Sequence, residues 1–324
     1  MPEHVRYGTV TDGAGAIMTT TLRRSARFEG ITLHGGMAVR AEVLPAAAGR
    51  GIVFRRRDVA DADPEIPALW SRLVPARLCT RIANADGVGV STIEHLMAAF
   101  AACGVRDAVV VLDGPEVPIL DGSAAPFVRG LLAAGLMHRP GPGHVWRVLR
   151  PVEVREGDAF ARLEPADGVE IDLMIDFPAV AIGRQRLRLA LANGTAVREI
   201  CDARTFTTTE DLARLRAAGL GRGGDLSNAV VYGPEGVLNH PAGLRRADEA
   251  VRHKALDVMG DLALAGAPIL GRYVGERAGH ALTARLLSAL FTTEGAVERV
   301  ATAGRLARRL PGAGLGPADL AEVA

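Results

Sequence analysis

Cysteine is scarce in this 324-residue chain, occurring only at Cys79, Cys103 and Cys201. An odd number at wide spacing makes no disulfide framework, and no C-x-x-C pair is present to seed a thiolate zinc site. A reducing compartment is implied. Charge bias is also missing, because 38 Lys and Arg balance 37 Asp and Glu for a formal net charge of +1. That balance removes the electrostatic case for a nucleic-acid partner. Aromatic residues make up only 4% of the chain and arginine dominates the basic set; a GC-rich genome accounts for both, and neither points to a function. No apolar run approaches the roughly 18 residues of a membrane span, and the N-terminus has no basic segment leading into an apolar core. The protein is therefore expected to be cytoplasmic, with no transmembrane segment.

With 48% hydrophobic and 23% charged residues the chain reads as globular, and its length suggests about two domains, each able to bury a core. Residues 1–17 (MPEHVRYGTVTDGAGAI) read as a weakly structured, disordered extension, with Met18 an alternative start. Domain I is expected over 18–139, with strands at Ala38–Leu44, Gly51–Arg55 and Ala108–Leu112 and helices at His95–Cys103 and Ala125–Ala134. The run RPGPG, Arg139 to Gly143, can continue neither helix nor ladder and marks a boundary. Domain II is expected over 144–300, with strands at Val145–Val154, Ala159–Pro165, Val169–Ile175, Leu187–Leu191 and Ala229–Tyr232, and a tail over 301–324. Its helices are expected near Glu210–Ala218, over Asp248–Gly266 and from His280 onward. Two α+β halves of similar size predict a duplicated two-layer architecture with the site in the cleft between them.

One helix stripe carries the most chemistry. In DEAVRHKALDVMGDLALAG, residues His253, Asp257 and Asp261 recur every four positions. At 100° per residue they lie at about 0°, 40° and 80°, whereas Val251, Ala255, Val258 and Leu262 lie near about 140–200°. A helix packed through the apolar stripe would present an imidazole and two carboxylates together. An ordinary i, i+4 pair on a solvated face is the competing reading. Two further histidines open apolar runs, His95 in STIEHLMAAF and His280 in GHALTARLLSAL.

Neutral imidazole and carboxylate oxygen suit a divalent ion such as zinc, whose catalytic sites take three protein ligands and a water. The chain has no HExxH, and Ser91 stands where the inverted HxxEH motif needs histidine. If His95 is a ligand, His253 and Asp257 complete a His2Asp set. Glu94, beside His95, could take a proton from the water, or Ser91 and Glu94 could instead form a capping box. His280 is a candidate acid, given a nearby anion such as Asp261 to hold its charge. Lys254 points off the ligand stripe and is a candidate for an anionic substrate, with a solvated lysine the default. The Gly-rich GLGRGG at 219–224 lacks P-loop and dinucleotide-site context and reads as a turn, and Ser123 reads as a helix cap. His34, His138, His144 and His240 have no partners at ligand spacing.

STIEHLMAAF, PEVPILDGSAAPFV, DARTF, VRHKALDVMGDL and AGHAL, in that order, closely resemble the UDP-3-O-acyl-N-acetylglucosamine deacetylases of lipid A synthesis, from about Thr20 to Thr292. The resemblance implies a mononuclear zinc amidase of two α+β domains, each a sandwich of two helices on a sheet. It implies zinc on His95, His253 and Asp257, with iron(II) the alternative ion. Glu94 would activate water, His280 paired with Asp261 would protonate the leaving amine, and Thr205 would hydrogen-bond the oxyanion. Lys254 would lie near the nucleotide diphosphate and Phe177 near the uracil ring. A β-α-β insert at about 206–232, with Phe206, would form the acyl passage, walled by Leu212, Leu215, Leu220 and Val230. The implied partner is the acylated UDP-N-acetylglucosamine, and a monomer is expected. Two departures stand out: Thr207 and Thr208 replace the family's usual glycine and second aromatic, and Thr283 replaces an asparagine. A zinc amidase for another acylated sugar nucleotide and a non-catalytic zinc-containing binding protein are the alternative functions.

Overall fold

The computed structural model describes residues 10–11, 18–239, 241–316 and 319. Each half of the chain builds a sheet. The N-terminal half forms a five-stranded sheet in the order Ala26–Ile31, Ala38–Pro45, Ala108–Leu112, Ile52–Arg56, Glu65–Pro67. Ala108–Leu112 runs parallel to Ile52–Arg56 and antiparallel to Ala38–Pro45. In the C-terminal half Ile269–Glu276 is the centre of an eight-stranded sheet, antiparallel to Ala159–Glu164 and parallel to Val169–Asp176. Helices α1 (Glu94–Cys103) and α2 (Ala125–Ala134) accompany the first sheet. The short α3 (Thr195–Glu199) and then α4 (Thr209–Ala217), α5 (Glu249–Ala263), α6 (His280–Thr292) and α7 (Gly304–Ala307) follow, with α5 and α6 packed on the second sheet. The chain is thus an α+β protein of two helix-on-sheet layers.

The helical layers meet through α1 and α5. All residues of α1 except Ala101 are buried, so this helix, apolar nearly all round, is a core element. It ends at Gly104, whose φ of 70° provides a left-handed cap. Helix α5 is buried on two sides. Its apolar side packs on the second sheet, and its His253, Asp257 and Asp261 stripe, which simple amphipathicity would leave to solvent, is closed off by α1. Leu262, expected in the packing stripe, is only half-buried. One continuous apolar cluster runs through both halves, from Phe28 and Leu96 to Leu256 and Leu287.

Several elements depart from their sequence-based bounds. The expected strand Val145–Val154 is two strands, His144–Val148 and Val152–Glu156, divided at Pro151. The helix expected over 248–266 stops at Ala263. Of residues 1–17, read as unstructured, Val10–Thr11 forms a short parallel strand against Val297–Ala301, and the others lie outside the described residues. His240 also lies outside them. The tail contributes α7, whose Leu306 packs with Val145, Leu270 and Val300. His138, which has no partner at ligand spacing, lies with its Nδ1 2.9 Å from Thr20 Oγ1.

Phe206–Thr208, α4 and Val230–Gly233 form a β-α-β unit, extended by Gly236–Val237. Thr208 caps α4, its hydroxyl accepting the Asp211 N–H at 3.1 Å. The GLGRGG segment seats this unit against the first half, with the Gly223 N–H donating to Leu33 O at 3.0 Å. Glycine is required at that approach, since a Cβ on Gly223 would lie 2.2 Å from Thr32 O.

Candidate metal centre

Helix α5 carries His253 and Asp257 one turn apart, and α1 delivers His95 from the other half. All three are buried, and one ligand atom from each lies within 4.8 Å of the others. Asp257 Oδ1 lies 3.3 Å from His253 Nε2 and 3.7 Å from His95 Nε2. Ligands about 2.0–2.1 Å from a tetrahedral ion sit about 3.3–3.4 Å apart, so the spacing fits zinc. Asp257 Oδ1 is also a buried oxygen with no hydrogen-bond partner among the described residues, as an atom reserved for a metal would be. The Ala203 carbonyl lies 3.0 Å from His253 Nδ1 and fixes the tautomer that leaves Nε2 to the ion.

Electrostatics favour the ligand forms of these groups. Burial, reinforced by the neighbouring His253, pushes His95 down to about 3, and burial lowers His253 as well, so both rings are neutral. Burial opposes a charged Asp257, but His253, Lys254 and His280 outweigh it and hold the carboxyl well below the usual carboxylate range. Lys254 does not point away from the ligand stripe: its Nζ donates to Asp257 Oδ2 at 2.8 Å. Its ammonium also stands 5.5 Å from the Phe206 ring centre.

Glu94 is no capping residue. Helix α1 starts at Glu94 itself, and the Ser91 hydroxyl donates to Pro115 O. Glu94 Oε2 instead accepts the Thr80 N–H at 3.0 Å. Burial, with Asp257 and Asp261 adding to it and His280 opposing, pushes the Glu94 carboxyl up to about 7. His280 is the first residue of α6, and its Nδ1 lies 2.8 Å from Asp261 Oδ2. Burial works against a charged imidazole there, yet the charge and hydrogen bond of Asp261 raise His280 to about 10. Its Nε2 faces Asp257 Oδ2 at 3.8 Å. A carboxyl titrating near neutrality and a protonated imidazole therefore stand beside the three candidate ligands.

The other expected site residues are spread more widely. Thr205 is held by its backbone, donating to Gly122 O and accepting from Val230 N, each at 2.8 Å. Phe206 lies 6.2 Å from the His253 ring, centre to centre, and so borders the metal centre, while Phe177 packs on Phe206 at 5.3 Å. Leu212 and Leu215 are half-buried on α4, whose chief packing partners are the strands of its own β-α-β unit. Leu220 is half-buried, whereas Val230 is fully enclosed in the core. Ser123 stands one residue before the α2 cap position, held by Ala124, and its hydroxyl accepts the Ala125 N–H. Three contributors escaped the sequence reading: Thr80, the Ala203 carbonyl, and the buried Arg204–Glu249 ion pair that anchors DARTF to α5 at 2.8 Å.

The model of the UDP-3-O-acyl N-acetylglycosamine deacetylase family matches residues 19–292. The chain belongs to this family. It is 47% identical over 270 residues to a UDP-3-O-acyl-N-acetylglucosamine deacetylase of Phenylobacterium zucineum, an alignment covering 83% of this chain and 92% of that relative. A protein of the same name from Shewanella sp. strain W3-18-1 is 41% identical over 286 residues, covering 88% of this chain and 93% of its own. A Shewanella baltica relative is 40% identical over the same length. Glu94, His95, His253, Asp257, Asp261 and His280 all lie within the matched residues.

Proposed function

We propose that this chain hydrolyses the acetamide of UDP-3-O-(3-hydroxyacyl)-N-acetylglucosamine to acetate and the free amine, the committed step of lipid A synthesis, using one zinc ion. The observation that carries this reading is the pairing of Glu94 with His280–Asp261 around a buried His2Asp ligand set. A purely structural zinc has no use for a base and an acid beside it. Zinc on His95, His253 and Asp257 would supply Lewis acidity, polarising the amide carbonyl and lowering the pKa of a water toward about 7. Glu94 takes the proton of the attacking water as the carbon–oxygen bond forms. His280 holds its Nδ1–H against Asp261 and gives its Nε2 proton to the amide nitrogen as the carbon–nitrogen bond breaks. Thr205 donates a hydrogen bond to the oxyanion. Lys254 would meet the diphosphate, its bond to Asp257 being exchangeable for a bond to substrate. Phe177 and Phe206 supply the apolar surface beside the site, Phe177 for the uracil ring, and Leu212 and Leu215 flank the acyl chain.

Among the described residues no helix is long and apolar enough to cross a membrane, and the three cysteines are buried and unpaired. These features support action in the reducing cytoplasm. Thr207 and Thr208, in place of glycine and an aromatic, favour a second reading in which the sugar nucleotide or acyl chain differs while the chemistry is kept. The test is acetate release by zinc-replete protein from UDP-3-O-(3-hydroxymyristoyl)-N-acetylglucosamine and from analogues of other acyl length. Glu94→Ala should keep its zinc and lose about 10²–10⁴-fold in turnover. Release from an analogue alone would select the second reading, and none from any substrate despite bound zinc would leave the binding-protein role.

A further inference from the structure

The structure assigns to Thr80 a positioning role for this reaction: its hydroxyl straps the Asp261–His280 pair while its peptide N–H holds Glu94. This inference rests on the deacetylase reading and adds a residue to it. Thr80 is 4% exposed and lies between Leu78, whose φ is 61°, and the strand Arg81–Ala83. Its Oγ1 donates to Asp261 Oδ1 at 2.5 Å, while His280 Nδ1 occupies Asp261 Oδ2 at 2.8 Å. The same Oγ1 lies 3.2 Å from His280 Nδ1. An ionised carboxylate only accepts, so the single hydroxyl proton goes to Asp261 and the imidazole proton to the other carboxylate oxygen. With both oxygens engaged, the Asp261 plane cannot rotate, and the ring it orients keeps one direction. The Thr80 N–H fixes Glu94 Oε2 at 3.0 Å. One residue therefore sets the separation of base and acid, although it contacts neither substrate nor metal ligand in the bonds it makes.

The two functions of Thr80 separate experimentally, because Thr80→Val removes the hydroxyl and keeps the peptide N–H. The strap predicts that Thr80→Val lowers kcat by about 10–100-fold, the scale of a misplaced catalytic group, with KM and zinc content unchanged. Thr80→Ser should recover kcat to within about threefold. Since both changes act through the same ring, Thr80→Val should add little to Asp261→Asn. The downfield proton NMR signal of the His280 Nδ1–H should move in Thr80→Val and stay in Thr80→Ser; this readout needs no turnover. Thr80→Ala repeats the comparison if the valine variant does not fold. A kcat within twofold of wild type, a loss that serine does not restore, or an unmoved His280 signal would overturn the strap. Absence of acetate release from wild-type protein would sink the deacetylase reading instead, and the NMR comparison would still decide the strap.

Discussion

Gly260→Ala should separate the two halves of the metal centre, against the trend for a helical glycine. In an unconstrained helix interior the change stabilises by about 1 kcal/mol through helix propensity. Gly260 of α5, however, lies against the first residue of α1: a Cβ there would be 2.0 Å from Glu94 O, 2.8 Å from Glu94 C and 3.1 Å from Glu94 Cα. Those atoms are backbone and cannot swing aside. Restoring an ordinary carbon–oxygen contact of about 3.3 Å requires the helices to part by more than about 1 Å. Overpacking of this kind costs about 1–3 kcal/mol, so the propensity gain is cancelled and a net loss of up to about 2 kcal/mol remains. The metal-free variant should not melt higher than the parent, and should melt lower by up to about 3 °C. The larger effect falls on the ligands. His95 Nε2 and Asp257 Oδ1 are 3.7 Å apart, and another ångström takes them past the about 4.2 Å that two 2.1 Å zinc bonds span even in line. Zinc affinity should fall about 10–100-fold, the range seen when support of a ligand is lost. Calorimetry of the metal-free protein and zinc titration against a competing chelator measure the two effects. A raised Tm with unchanged zinc affinity would refute the tight packing and the idea that it sets the ligand spacing.

Three other expectations follow from the geometry. With Glu94 near about 7 and His280 near about 10, the base is ionised only above the lower value and the acid protonated only below the higher. Acetate release should therefore rise through the first and fall through the second; a profile of kcat/KM from about pH 5 to 11 that is flat across neutrality would remove Glu94 as the base. Glu249→Ala should destabilise by about 3–5 kcal/mol in urea unfolding, because it leaves Arg204, 5% exposed, as an unpaired buried cation; a loss under about 1 kcal/mol would show that water reaches the guanidinium. Chelation should abolish acetate release reversibly yet leave the far-ultraviolet circular dichroism unchanged, because the apolar cluster spans both halves without the metal; loss of helix signal would make the ion a folding element.

Legibility tracked element length and continuity. Helices α1, α2, α5 and α6 show a full 3.6-residue period or an unbroken apolar run, and their bounds came within a few residues. The strands Leu73–Val74, Arg81–Ala83 and Gly89–Ser91 are two or three residues long, too short for alternation to register. The central strand Ile269–Glu276 was missed for another reason. Gly271 and Gly275 interrupt its apolar run, and they do so for packing: a Cβ would lie 2.7 Å from Val148 at the first and 2.7 Å from the Tyr273 ring at the second. Lys254 was misread because helical spacing locates a Cα but not the end of a four-carbon side chain, here drawn to the Asp257 carboxylate.

By itself the sequence determined which side-chain types are available as ligands, the one-turn spacing of His253 and Asp257, and the presence of Glu94, His280 and Asp261 in the motifs around them. Spacing within one helix is a property of helical geometry and needs no partner. Only the tertiary structure decided which of these groups meet. The packing of α1 on α5 brings His95 to His253 and Asp257. The polar stripe became a buried site because a second helix covers it, and Thr80 reaches Asp261 and His280 across 181 and 200 residues of chain. Contacts at that separation leave no local pattern, because they are made by the packing of sheets and helices rather than by neighbours in sequence.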